Sequence, residues 1–439
     1  MAPFWRFFFP NFGRAQEFID ELYFFKEDYS IVREVASQKW LLGSNFQGHQ
    51  TILLVDLSGT ANCISRGDGY NKYLIKDIEI VDSRYVYYCG TRVVSYTFIP
   101  DAQGNMVYTP TWGAMFGYFD LTTFTISNVQ GMDDLVSIYN IESLDKLEVF
   151  HVDGETHLAM VGSMNSGEGC VIDLYGNGVL PSSWSYDLAQ VPDEKFDDVA
   201  ISEKKLVVSS RTPNVQSFLR SYGIPTSTGQ TFFANPVAQI KTDISAYDSI
   251  LLEYCEGDYF TLATTDVPNN NIEVAAFDHN LQFYYALTIP LASNETPLYS
   301  LRDIKYNPYL KTLAVLEVSP SQGFYNSLIH HLSTNNAPPT LSPDVYGTLY
   351  KNERLCSLDY ESNNAGHIVA SGNVENTCAR IYQHFPYLYD ECTIENHIKC
   401  EKLNPTENEN GILETSPDSF VAVPINWSYY TWSETIICQ

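Results

Sequence analysis

The chain has 439 residues, 44% of them hydrophobic, with 31 Tyr and 24 Phe, and its 53 acidic residues against 25 basic ones give a formal charge of -28. That field repels phosphate backbones and anionic headgroups, which argues against nucleic acid as a partner; its plainest role is to keep a Tyr-rich surface soluble. No apolar run reaches the roughly 18 residues that a membrane-spanning helix needs, and the aromatic content favours strands over helices.

From the N-terminus, residues 1–18 read as an extension. Its segment Phe4-Trp5-Arg6-Phe7-Phe8-Phe9-Pro10 is short, aromatic and interrupted by Arg6, which is not the pattern of a signal peptide. That leaves a cytoplasmic protein, or a chain whose translated start lies elsewhere.

A hexamer with apolar residues at its first, fourth and sixth positions then recurs seven times. Its copies begin at Ile19 (IDELYF), Ile75 (IKDIEI), Leu144 (LDKLEV), Phe196 (FDDVAI), Tyr247 (YDSILL), Leu301 (LRDIKY) and Leu355 (LCSLDY). The starts are 56, 69, 52, 51, 54 and 54 residues apart, close to the length of a four-stranded propeller blade. The pattern predicts an all-β chain, a seven-bladed β-propeller of mostly four-stranded antiparallel blades over residues 19–400, with the hexamers as innermost strands. If Ile19 to Phe24 instead completes the last blade, the count falls to six.

After each hexamer a second apolar run follows, clearest at Tyr85 to Gly90, Leu158 to Gly162 and Ile368 to Gly372. Leu206 to Val208, Phe260 to Ala263 and Leu313 to Leu316 hold the same place, as Ile31-Val32 does in the first repeat. The closing glycine suggests relief of a positive φ. Third runs end in Asp56, Asp120, Asp173 and Asp278, each expected to form a hairpin turn by accepting backbone N–H groups. The long second repeat carries an insertion, Pro100 to Trp112, which predicts a long hairpin or loop and is a candidate binding feature. Beyond Tyr387 the repeat fades. Residues 401–439 read as a tail that packs on the propeller, with Phe420 to Ile425 and Trp427 to Trp432 adding an outer strand or covering an edge.

The strand Tyr85-Val86-Tyr87-Tyr88-Cys89-Gly90-Thr91-Arg92, followed by Gly117-Tyr118-Phe119-Asp120, resembles uncharacterised propeller proteins of gut Bacteroidota. The resemblance covers most of residues 15 to 390 and implies an exported or cell-surface protein, with no activity to transfer. Recurring Gly-His and Trp-Asp pairs, kelch double glycines and sialidase-type aspartate boxes are missing.

The candidate site residues lie on the hexamers. Asp20, Asp77, Asp145, Asp197, Asp198, Asp248 and Asp303 fall at the second or third position and are expected to gather at one mouth of a central channel. There they would attract a cation such as Ca2+, or a cationic or hydroxyl-rich ligand; the plainer reading is that they satisfy backbone donors at strand entry. No other cofactor is expected.

Cys392, His397 and Cys400 with His384 lack the close spacing of a zinc site. Five of the nine cysteines, Cys356, Cys378, Cys392, Cys400 and Cys438, suggest a tail restrained by disulfides. His330-His331, and the pair His151 and His157, read as surface or strand residues without matching ligands. Arg66-Gly67-Asp68 reads as a turn, and Asn294-Glu295-Thr296 and Asn426-Trp427-Ser428 fit the N-glycosylation acceptor pattern.

No common catalytic template is present. The expected role is non-catalytic recognition of a protein or glycan partner at a bacterial surface. The alternatives are a glycoside hydrolase or lyase with carboxylates at the channel mouth, and a structural assembly component.

Overall fold

The computed structural model describes residues 30–36, 39–46, 49–56, 60–66, 73–100, 106–123, 125–128, 139–179, 181, 183–212, 216–230, 236–245, 250–255, 259–266, 271–290, 300–318, 327–334, 340–347, 353–360, 368–374, 378–384, 421–422 and 426–429. They form seven sheets. The first holds β1 (Ser30–Ala36), β2 (Lys39–Phe46), β3 (His49–Asp56) and β4 (Thr60–Arg66). The second holds β5 (Tyr73–Val81), β6 (Tyr85–Pro100), β7 (Met106–Asp120) and β8 (Thr125–Asn128), and the third β9 (Ile141–Val152), β10 (Glu155–Met164), β11 (Gly169–Asn177) and β12 (Ser185–Val191). The fourth is β13 (Lys195–Ile201), β14 (Lys205–Arg211), β15 (Gln216–Gly223) and β16 (Ala238–Ser245), and the fifth β17 (Leu251–Cys255), β18 (Tyr259–Asp266), β19 (Asn271–Asp278) and β20 (Phe283–Pro290). The sixth is β21 (Ser300–Asn307), β22 (Thr312–Val318), β23 (Ser327–Ser333) and β24 (Thr340–Gly347). The seventh joins β25 (Glu353–Tyr360), β26 (Ile368–Val374) and β27 (Cys378–His384) to β28 (Val421–Ala422) from the tail. A further tail strand, β29 (Asn426–Tyr429), runs parallel to β4 as the fifth strand of the first sheet. Sequential four-stranded antiparallel sheets of this kind are the blades of an all-β propeller fold.

The chain forms two compact units, one of residues 1–66, 267–271 and 289–439, the other of 67–266 and 272–288. In the second unit the first strands lie side by side, β5 next to β9, β9 next to β13 and β13 next to β17. In the first unit β21 lies next to β25 and β25 next to β1.

The second unit shows why the second strands are so apolar. Successive side chains on a strand face opposite ways. On β10, Leu158 and Met160 pack with Tyr87, Cys89, Ala114 and Phe116 of the second sheet, whereas Ala159 and Val161 pack with Phe196, Val199 and Leu206 of the fourth. Leu219 and Val207 in turn meet Leu252, Phe260 and Phe277 of the fifth. Each strand is buried on both faces, so alternation disappears, and every fully buried Leu or Phe contributes about 1.5–3 kcal/mol.

Two of the repeat assignments need correction. Ile19 to Phe24 lies outside the described residues, and among the described residues the first strand of the first sheet is β1, so Ile31-Val32 sits on the first described strand and not on the second. Among the described residues there are seven sheets. In the fifth sheet the described inner strand is Leu251–Cys255, and its Leu252, not Ile250, answers Asp198, so the hexamer read from Tyr247 is set two residues too early. The other second and third runs fall where expected.

Candidate functional site: carboxylates on the inner strands

The inner strands of the second, third, fourth, sixth and seventh sheets share one irregularity. Pairing with the second strand slips by one residue between Ile75 and Asp77, across Asp145, between Phe196 and Asp198, between Leu301 and Asp303, and between Leu355 and Ser357. The residue skipped is the hexamer's second position, and such a β-bulge re-aims the side chains beside it. Opposite the residue before the bulge stand Gly90, Gly162 and Gly372. Gly90 and Gly162 do not have positive φ. A Cβ on Gly90 would lie 1.9 Å from the Leu74 carbonyl oxygen, and one on Gly162 2.0 Å from that of Ser143. Close backbone approach at the bulge, not turn geometry, requires them.

The third-position aspartates point back into the sheet stack. Asp77 accepts the N–H of Ile78 (3.0 Å) with one carboxylate oxygen and the N–H of Leu147, in the next sheet, with the other (3.1 Å). Asp198 takes Val199 (2.8 Å) and Leu252 (2.8 Å) in the same way. Asp303 takes Ile304 (2.9 Å) and Leu358 (2.7 Å), and adds the Ser357 hydroxyl at 2.9 Å. The shared acceptor geometry places Leu252 in register with Leu147 and Leu358, which fixes the two-residue correction in the fifth sheet. These three carboxylates are staples between neighbouring inner strands, joining the second sheet to the third, the fourth to the fifth and the sixth to the seventh. Thr91 donates to the Glu142 carbonyl (2.8 Å) and Ser209 to that of Ile250 (3.0 Å), reinforcing two of the joints.

Second-position residues pair with bases. Asp145 is bonded to Lys76 and to Ser143. Asp197 is held by Arg211 Nε at 2.9 Å and accepts the Ile250 N–H at 3.3 Å. The structure therefore brings Asp77, Asp145, Asp197 and Asp198 onto consecutive inner strands of one unit. It spends their oxygens on amides, hydroxyls and basic side chains, as does Asp303 in the other unit. Asp20 and Asp248 lie outside the described residues.

Burial pushes Asp198 up to about 7 and Asp197 up to about 6; the first is opposed by Lys146 and its two amide partners, the second by Arg211 and Lys195. Asp173 is likewise raised by burial to about 6, against its bond to His157. A carboxylate raised in the folded state makes that state the better proton binder, so its contribution is fullest at low pH and is lost as pH climbs through the folded value. Urea unfolding should show stability declining between about pH 4 and pH 7, by at most about 1.4 kcal/mol per pH unit for each proton. Asp198→Asn should remove the decline above pH 6 and make the decline below it shallower without abolishing it, because Asp197 and Asp173 still titrate there; an unchanged slope above pH 6 would refute a raised Asp198.

Sequence reading missed three buried polar clusters. His157 is fully buried between Phe150 and Tyr175, with ring centroids 4.8 and 5.5 Å away, and its Nδ1 is 3.1 Å from Asp173. It is neither a surface residue nor without a matching group, and Asp173 binds this imidazole instead of forming a turn. His330 and His331 are also buried, and His330 Nε2 lies 2.8 Å from Glu317. In the fourth sheet Arg220 grips Glu194 with two bonds of 2.7 Å, and Ser210 contacts both. The one available signal was a polar residue inside a doubly buried run, as in Thr156-His157-Leu158. By contrast Asp120 and Asp278 do form turns, through Thr122 (2.8 Å), and through Asn280 and Gln282 (2.8 Å each).

Cys89, Cys170 and Cys255 are buried free thiols, pushed upward by burial, Cys170 to about 12. Cys392, His397, Cys400, Cys438 and Asn294 lie outside the described residues, as do the side chains of Cys356, Cys378 and His384. Among the described residues no group of three or more His, Cys, Asp or Glu is placed to hold a metal, and no helix is long and apolar enough to cross a membrane.

No family model and no curated protein matches the chain. Solved structures similar to it include the Cps50 (Swd1) β-propeller domain of Myceliophteria thermophila, at 10% identity and a TM-score of 0.47 over 81% of this chain and 96% of that one. The β-propeller domain of the Trilobed protease of Pyrococcus furiosus, with an open velcro topology, gives 8% and 0.43 over 81% and 95%. Saccharomyces cerevisiae Sqt1 gives 11% and 0.46 over 84% and 86%.

Proposed function

We propose that this chain is a non-catalytic recognition propeller that holds a protein or glycan partner through the long hairpin of its second sheet. The carrying observation is the pairing of β6 with β7. β5 pairs β6 only as far as Arg92, and β8 pairs β7 only from Gly117, yet β6 and β7 continue together from Val93 opposite Trp112 to Pro100 opposite Met106. At about 3.4 Å per residue this makes a two-stranded arm of roughly 25 Å. Among the described residues no third strand joins either edge of the arm, and a bulge between Val93 and Ser95 bends it where it leaves the blade.

The enzyme alternative is less well supported, because the inner-strand carboxylates are already engaged with backbone and basic groups, whereas an acid–base pair must exchange protons with a substrate. Display at a bacterial surface belongs to the same reading and rests on the resemblance to exported Bacteroidota propellers.

Replacing Ser95 to Thr111 by Asn-Gly should leave the unfolding transition in place and abolish at least one specific signal that the intact protein gives on a glycan array or a proteome array. Full retention of those signals, or none from the intact protein, would overturn the reading.

A further inference from the structure

We propose that β20, the outer strand of the fifth sheet, is a second docking edge, one that accepts an extended, neutral or basic segment of a partner polypeptide as an added strand. An outer strand presents a row of unpaired N–H and C=O groups, and proteins blunt such edges with charge, proline or brevity. Among the described residues every other sheet here does so. β8 and β29 have four residues each and β28 two; β12 carries Asp187, β16 carries Lys241 and Asp243, and β24 carries Pro343 and Asp344. β20 runs for eight residues, FYYALTIP, with no charge and with proline only at its last position. In a chain with 78 charged residues (53 acidic and 25 basic) that omission is specific to this edge.

The side chains suit the same role. Phe283 and Tyr284 are 64% and 57% exposed, while Tyr285 and Ile289 turn into the core. Tyr284 lies parallel to Tyr259, with centroids 6.0 Å apart, and Phe283 stands edge-on to Phe277 at 5.9 Å. Backed aromatics offer contact area at little entropic cost, and an incoming strand would lay its side chains across them. Charge selects the occupant. Two copies at -28 repel each other, whereas an uncharged edge in an acidic field favours a segment without carboxylates. The edge is separate in sequence from the arm, and the arm-shortened protein keeps it, so the two proposals fail independently.

The test uses a capped heptapeptide of alternating valine and threonine between terminal lysines, with a glutamate-ended twin. Hydrogen exchange should slow at Phe283 to Thr288 on adding the lysine-ended peptide. Its affinity should drop about tenfold or more in Tyr284→Lys/Ala286→Lys and for the glutamate-ended twin, and persist in Tyr284→Phe. Protection elsewhere, or affinity indifferent to the lysines, would overturn the proposal. So would a wild-type dimer in sedimentation that the lysine variant dissolves, since that makes a second copy the occupant.

Discussion

Gly162→Ala and Gly90→Ala should each cost about 3–5 kcal/mol, among the largest losses available to a single methyl group in this protein. The added Cβ would meet a backbone carbonyl oxygen at 2.0 Å in the one case and 1.9 Å in the other, and a carbonyl inside a paired strand cannot rotate away without breaking the ladder. Gly167 provides the contrast. It sits at φ +85 with no heavy atom within 4 Å of the place an alanine methyl would take, so Gly167→Ala should cost only the left-handed penalty of about 1–2 kcal/mol. Urea titration of the three variants decides the matter, and equal losses would mean that the bulge does not demand glycine. Ser210 and Glu317 hold the equivalent place opposite Phe196 and Leu301, and there the position serves a buried polar cluster instead.

The second large effect concerns the Glu194–Arg220 pair. Both side chains are buried, and Arg220 also lies 5.7 Å from the ring centres of Phe196 and Phe218. Removing one partner leaves a charge in the sheet stack without compensation, so Glu194→Leu or Arg220→Met alone should cost about 3–5 kcal/mol. Replacing both, with Ser210→Ala to remove the stranded hydroxyl, should recover most of that loss, because apolar groups of similar volume need no desolvation. If the triple variant is as unstable as the sum of the singles, the cluster contributes by shape and not by charge.

These clusters also mark the boundary of what the sequence discloses. The second and third strands were legible because burial on both faces produces uninterrupted runs such as Leu158-Ala159-Met160-Val161, which loops cannot imitate. The fifth inner strand was placed two residues early for a reason intrinsic to strands: side chains repeat every two residues, so a shift of two preserves the apolar pattern, and only the Asp198 bond to Leu252 fixes the register. The strand β1 was not read as an inner strand because Arg33 and Glu34 interrupt its apolar pattern. The aspartates were correctly located in sequence, but their role depends on an amide some fifty to seventy residues away, as Asp77 does on Leu147. The pairing of His157 with Asp173 needs the diagonal between adjacent strands, which register alone reveals.

The staples recur at every second blade, at Asp77, Asp198 and Asp303, while the intervening third positions hold Lys146, Leu251 and Ser357. The bonding period is thus twice the sequence period. Excising one blade of a stapled couple would strand either a buried carboxylate or the amide that answered it, whereas excising the couple would strand neither.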